Sequence, residues 1–327
     1  MKEKLLNQDE IIKREFELYK KSLNDFGINS DKEIYNRSTT TFIEYDFNMP
    51  QTIFYIIRGG DIIFGRKTLS HLYLAGKLKS INCSNIKYNM LFGVLKSANY
   101  NNRKIEIEYY PFTNKEKKQQ FNKIVDDIKN YEIYFPFRFK YYDTNLEQTS
   151  SNLDWKIDDR IANYLSVGEK HIRKYTIKII KNYHLNPKIV YDPACSTGEF
   201  LKTIKDVVPH CKTIGHDMSK EMVDFSKKNV DESKCCDAFD SPINDNSVDL
   251  LVLRFLNGGV VDSDNAKKLF ELLVKKVKSK GYIICIGHTP ILINSKMFEA
   301  LNLELLEKIG HDESVNSIFQ YYFAKKR

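Results

Sequence analysis

The densest chemical signal in the chain is Asp192-Pro193-Ala194-Cys195-Ser196-Thr197-Gly198-Glu199-Phe200, which follows the apolar run KIVY at 188–191. Ala194, Ser196 and Gly198 are small, so a ligand can approach the backbone where a strand gives way to a helix. The unpaired N–H groups of that helix's first turn then face the ligand. About 20 residues on, the run CKTIGHD ends in Asp217, where a carboxylate accepts both hydroxyls of a ribose. A similar interval leads to Asp237-Ala238, an acid able to accept from an adenine amino group, and then to the apolar run 248–253, followed by Arg254 and Phe255. The phosphate turn of dinucleotide enzymes is missing: Pro193 and Cys195 occupy its interior, so this loop is not shaped for a pyrophosphate. Cys195 reads either as a nucleophile or as a small residue packed beneath the ligand. Cys235-Cys236 has no histidine or cysteine partner at ligand spacing, so no metal site is expected there.

A proton acceptor for a phenol or amine nucleophile has three candidates. His288 follows the apolar run 281–287, His216 immediately precedes Asp217, and Asp262 stands at the start of a helical pattern. Asp262 equally suits an N-cap, whose carboxylate accepts from the first helical turn.

These residues need a scaffold, and the pattern around them supplies one. Helical spacing over 157–166 and 169–183 is followed by strands at 188–191, 212–216, 248–253 and 281–287, with helices at 198–207, 219–229 and 264–279 between them. Such alternation predicts a parallel sheet with crossover helices. The runs 303–309 and 317–324 are expected to form an antiparallel hairpin at its edge. A polar stretch at 143–154 reads as a linker and divides the chain into residues 1–150 and 151–327. The first part predicts a helix over 8–24, strands at 41–47, 52–57, 62–64 and 104–112, a turn at Arg58-Gly59-Gly60-Asp61, and a helix over 114–130. The aromatic run 132–142 is expected at a sheet edge because it contains Pro136. This α+β part shows no catalytic motif; its aromatic residues suit a core or an acceptor pocket.

The succession of loop, Asp217 and Asp237 gives residues 155–327 a resemblance to the class I S-adenosylmethionine-dependent methyltransferase domain. The resemblance implies an α/β, Rossmann-like seven-stranded sheet behind an N-terminal α+β domain, with S-adenosyl-L-methionine as group donor. It also implies roles. Asp192, Ala194, Cys195, Ser196 and Gly198 would line the methionine and ribose portion, Asp217 would hold the ribose with Met218 against the adenine, and Asp237 and Ala238 would hold the adenine edge. Arg254 and Phe255 would close the site. Tyr164 and His171, on the preceding helices, are candidates for the cofactor carboxylate, with His288 and Asp262 for catalysis. The runs VYDPACSTGEFL and IGHDMSKEMVDFSKKN are similar, more narrowly, to 3-amino-3-carboxypropyl transferases of the isonocardicin synthase type, a chemistry also found in microcin C maturation. That resemblance implies a peptide- or nucleotide-like natural-product acceptor, with methyl transfer as the alternative and a non-catalytic cofactor-binding subunit as a further one.

Composition narrows the partners. The chain has 327 residues, 42% of them hydrophobic and 29% charged, enough to bury a core. A net charge of +8 is spread over both halves without the block of like charge that marks a nucleic-acid arm. Adenine methylation of duplex DNA is not expected, because Leu253-Arg254-Phe255-Leu256-Asn257 stands where the base-holding Pro-Pro-aromatic motif of such enzymes lies; an RNA acceptor stays open. No apolar window reaches the length of a membrane span, the start MKEKLLNQDEII lacks a signal-peptide pattern, and the six cysteines form no C-x-x-C pair. The expectation is a cytoplasmic enzyme with reduced thiols.

Overall fold

The computed structural model describes residues 32–45, 52–67, 84–138, 140–141, 144–149, 157–287 and 289–327, with scattered positions between 10 and 28. The side chain of Tyr164 and the whole of His288 lie outside the described residues, as do Cys83, most of the helix expected over 8–24 and half of the expected linker. The chain divides into two units, Met1–Gln148 with Glu313–Phe319, and Thr149–Asp312 with Gln320–Arg327.

The first unit holds a six-stranded antiparallel sheet, with a helix after its fifth strand. Strands β1 (Thr40–Tyr45), β2 (Ile53–Arg58), β3 (Asp61–Arg66), β4 (Leu91–Asn101), β5 (Lys104–Pro111) and β6 (Glu132–Tyr134) run in the order β1-β5-β4-β3-β2-β6. The Gly59-Gly60 pair closes the β2–β3 hairpin, with Arg58 opposite Asp61. Strand β6 lies at the edge and ends before Pro136. Strand β4 has no counterpart among the sequence expectations: its first three residues are buried, but most of the rest is exposed, so no alternation marks it. Its turn into β5 places Asn102 and Arg103 both at positive φ, the geometry of a two-residue hairpin loop. Phe42, Phe64, Phe92 and Tyr109 meet edge-on or tilted, with Phe64 and Tyr109 centroids 5.1 Å apart. Helix α1 (Asn114–Asp126) starts at a capping box between Thr113 and Glu116.

The second unit carries the chemistry. Its elements are α2 (Asp159–Asn182), β7 (Ile189–Asp192), α3 (Glu199–Val207), β8 (Lys212–Asp217), α4 (Lys220–Ser226), β9 (Glu232–Cys235), β10 (Val248–Leu253), α5 (Ser263–Val274), β11 (Val277–Ile286), α6 (Ser295–Ala300), β12 (Leu303–Asp312) and β13 (Ser317–Lys326). The seven strands run β12-β13-β11-β10-β7-β8-β9. Strands β7 to β11 are parallel, and β13 is antiparallel to β11. The chain winds outward from β7 through β8 to β9, then returns to β10 on β7's other side. Ligands bind at such a reversal, beyond the carboxyl ends of the strands.

Two expectations need correction. The helices expected at 157–166 and 169–183 are one helix, α2, which runs through Gly168; a helical glycine costs only about 1 kcal/mol relative to alanine, too little to break a packed helix. The helix expected to reach 279 stops at Val274, because Val277 already pairs with Val248 in the sheet. The two closing strands are neighbours at the rim as expected, with β12 outermost and β13 between it and β11. Behind the sheet, Leu251, Leu253, Leu269, Phe270, Ile283, Phe298 and Tyr322 form one buried cluster. Among the described residues no helix is long and apolar enough to cross a membrane.

Candidate active site

The loop after β7 is held from both sides. Asp192 is fully buried; its Oδ1 accepts from the Ala194 N–H at 3.0 Å, and its Oδ2 accepts from Arg254 Nε at 2.8 Å. The Cys195 N–H donates to the His216 carbonyl at 2.7 Å, and that of Ser196 to Asp217 Oδ2 at 2.9 Å. The turn requires left-handed backbone at Ser196 (φ 52°) and Gly198 (φ 74°). A Cβ at Gly198 would also meet Val230 Cγ1 at 2.9 Å, so glycine is needed twice over. The first turn of α3 begins there, and the helix's leading N–H groups point out beyond the sheet.

Cys195 is buried, and burial pushes its thiol well above the ordinary range, which leaves no thiolate for nucleophilic work. Its Sγ occupies the space over Gly215, where a Cβ would come within 2.7 Å of it. The cysteine packs under the loop.

Asp217, at the end of β8, is nearly buried, and its Oδ1 accepts from the Ser219 N–H at 2.9 Å. Burial raises its pKa, against the lowering effect of the two backbone donors. Next to it the surface opens. Met218 is 50% exposed and Phe239 is 41% exposed. Asp237, itself exposed, starts a single helical turn with Oδ1 on the Phe239 N–H at 2.9 Å, over buried Ala238. An exposed carboxylate and exposed apolar side chains on the segments that follow β8 and β9, with a second carboxylate at the end of β8, have the chemistry of a nucleoside subsite.

Arg254 points inward. Only 8% of its side chain is exposed, and all three of its nitrogens are engaged: Nε with Asp192, Nη1 with both oxygens of Glu169 at 2.9 and 2.6 Å, and Nη2 with the carbonyls of Cys195 at 2.9 Å and Ala194 at 3.4 Å. Burial opposes its charge, but the Glu169 and Asp192 carboxylates outweigh it and hold the guanidinium pKa above its usual value. Residues 191–285 match the family described as the methyltransferase domain. The second unit is a class I methyltransferase-like domain. It is an S-adenosylmethionine-dependent transferase domain, and the strand order and the loop–Asp217–Asp237 succession agree with that match.

Among characterised proteins, the chain is similar to isonocardicin synthase of Nocardia uniformis subsp. tsuyamanensis, with 27% identity over 286 residues, covering 86% of this chain and 94% of the relative. It is also similar to demethylmenaquinone methyltransferase of Thermotoga maritima, with 26% identity over 143 residues, covering 43% of this chain and 59% of that protein. Among solved structures, an S-adenosylmethionine-dependent methyltransferase from Aquifex aeolicus superposes with a TM-score of 0.41 at 17% identity, covering 53% of this chain and all of that one.

The methyltransferase-like domain brings Asp192, Ala194, Cys195, Ser196, Gly198, Asp217, Met218, Asp237, Ala238 and Arg254 to the carboxyl edge of β7, β8, β9 and β10. The residues present suit S-adenosylmethionine: a glycine-turned loop at a helix start, a strand-end carboxylate, and an exposed acid and exposed apolar side chains on the segments after β8 and β9. Phe255 instead turns into the core among Leu256, Leu269 and Leu253. His171 is buried on α2. Asp262 caps α5, with Oδ1 on the Asn265 N–H and Oδ2 on Asn265 Nδ2, both at 2.8 Å, so both its oxygens serve the helix start. His216 is buried against Tyr191, whose hydroxyl meets His216 Nδ1 at 3.0 Å and Ser241 Oγ at 2.7 Å; burial lowers its pKa to about 4. Beside undescribed His288, the loops after β10 and β11 are laced together: the Gly258 N–H donates to the Pro290 carbonyl at 2.8 Å and that of Leu292 to the Leu256 carbonyl at 2.9 Å. Glu169 and Phe239 belong to this region and were not anticipated. Glu169 had no sequence signal, whereas Phe239, two residues past Asp237, was visible as an aromatic residue on a turn.

Proposed function

We propose that this protein transfers the 3-amino-3-carboxypropyl group of S-adenosylmethionine to a peptide- or nucleotide-like natural-product intermediate. The observation that carries this reading is the extent of the similarity to isonocardicin synthase. An alignment of 286 residues is longer than residues 149–327 and must run well into the first unit, so it is not a likeness of cofactor domains alone.

The bound sulfonium supplies three electrophilic carbons, and the carbon aligned with the acceptor decides which group leaves. The chain's task is placement. In this reading the 192–198 loop and the start of α3 hold the amino-acid end, Asp217 accepts from the ribose hydroxyls, Asp237 accepts from the adenine amino group, and Met218 and Phe239 cover the base. A nucleophile carrying a proton needs a base. His216 stays neutral at pH 7, but its ring is committed to Tyr191 inside the domain, so the proton acceptor is assigned to the loop that bears His288.

Methyl transfer is the second reading, favoured by the methyltransferase-domain match over residues 191–285. Coproduct analysis separates the two. Purified protein is incubated with S-adenosylmethionine and a small-molecule extract of its host, and the products are read by mass spectrometry. 5′-Methylthioadenosine above the enzyme-free control supports aminocarboxypropyl transfer, and the mass gained by an extract component identifies the acceptor. S-Adenosylhomocysteine establishes methyl transfer and ends the proposal.

A further inference from the structure

Ser166, Glu169 and Arg173 recur at helical spacing and share one face of α2. That face grips both ends of the 192–199 segment. At the strand end, Glu169 holds Arg254 Nη1 with both oxygens, and Arg254 passes the grip on to Asp192 and to the Ala194 and Cys195 carbonyls. At the helix end, Ser166 Oγ donates to Glu199 Oε1 at 2.7 Å, Glu199 being the first residue of α3. Arg173 Nη2 donates to the Ser166 carbonyl at 2.8 Å and to its Oγ at 3.0 Å, and lies 3.5 Å from the Glu199 carboxylate.

With all three nitrogens bonded inside the protein and only 8% of its side chain exposed, Arg254 acts on the loop and not at the surface. What it fixes is the direction of two loop carbonyls and one carboxylate, the groups able to receive an ammonium. Glu169 holds one side of that guanidinium and has 22% of its side chain exposed. We propose that Glu169, acting through Arg254, is a positioning residue that shapes the 192–198 loop for the amino-acid end of the cofactor, with Ser166–Glu199–Arg173 as a second latch on the same helix face. This rests on the reading of that loop as the seat of the methionine portion.

The test compares two ligands. S-Adenosylhomocysteine carries the amino-acid end and 5′-methylthioadenosine lacks it. Glu169→Gln keeps the shape and one accepting oxygen but removes the charge. By calorimetry, its affinity for S-adenosylhomocysteine falls about tenfold, the scale of one charged hydrogen bond, while its affinity for 5′-methylthioadenosine stays within about twofold. An equal loss on both ligands, or no loss on either, overturns the proposal. If Glu169→Gln does not fold, Ser166→Ala loosens the lighter latch, and the ratio of the two affinities shifts about threefold in the same sense, the scale of one neutral hydrogen bond; an unchanged ratio overturns it. If the unsubstituted protein binds neither ligand, the reading of the loop fails before any substitution is made, and this inference falls with it.

Discussion

The two sides of the candidate site are built on opposite principles. Around the 192–198 loop, polar groups are buried and answered: Asp192 by Arg254 and the Ala194 N–H, Arg254 by five acceptors, Cys195 packed over Gly215. Around Asp237 the surface is open, with that carboxylate exposed and with Met218 and Phe239 half-exposed on the same segments after β8 and β9. A buried ion pair adds little net stability but is costly to break, whereas an exposed carboxylate costs little to lose. The loop side is therefore preorganised and tied to folding, whereas in the proposed role the open side contributes to ligand affinity alone.

Breaking the loop side gives the largest effect. Arg254→Met leaves Asp192 and Glu169 without their shared cation inside the domain, and unfolding in urea should show a loss of about 3–5 kcal/mol. A loss below about 1 kcal/mol would mean that the network is wet and the contrast is wrong. Asp217 stands at the boundary between the two sides, since it holds the Ser196 and Ser219 N–H groups and, in the proposed role, the ribose. Asp217→Ala should reduce affinity for S-adenosylmethionine at least about a hundredfold, two charged hydrogen bonds' worth; unchanged affinity by calorimetry would reject the ribose assignment.

That boundary also marks how far the sequence was legible. The strand–turn–helix at Asp192–Gly198 and the strand end at Asp217 could be read because each depends on local chemistry: small residues where backbone must approach a ligand, and an acid closing an apolar run. The Gly59-Gly60 hairpin was legible for the same reason. Glu169 was not, because its value lies in a partner 85 residues away, and no local spacing carries that information. Strand β9 was missed because its sequence, ESKC, is largely exposed and has no alternation. Asp262 illustrates a divided signal: one residue type suits both a base and a helix cap, and in the structure both its oxygens are at the cap.

Beneath the loop side, His216 offers a pH probe of the same contrast. Burial lowers its pKa to about 4, below the value of about 6.5 it has in the unfolded chain. The folded protein thus excludes a proton that the unfolded chain binds, so the stability this group contributes is complete above pH 6.5 and declines as the pH falls toward 4. The slope attributable to His216 is at most about 1.4 kcal/mol per pH unit. Denaturant unfolding from pH 7 to pH 5 should therefore show a decline that His216→Gln flattens; parallel curves for the two proteins would place the ring in contact with water.

The smallest effect belongs to the open side, and it tests the contrast most sharply because it must appear in one measurement and be absent from the other. Asp237 is exposed, and its described bond is to the Phe239 N–H, so Asp237→Ala loses a cap on a single turn and should change stability by no more than about 0.5–1 kcal/mol. In the proposed role it also loses the acceptor for the adenine amino group, so affinity should fall about three- to tenfold. The decline should be the same for S-adenosylhomocysteine and 5′-methylthioadenosine, since both carry the adenine. A loss confined to S-adenosylhomocysteine would move Asp237 to the amino-acid end of the ligand. A stability loss as large as that of Arg254→Met would erase the distinction between a side that folds the domain and a side that only meets the ligand.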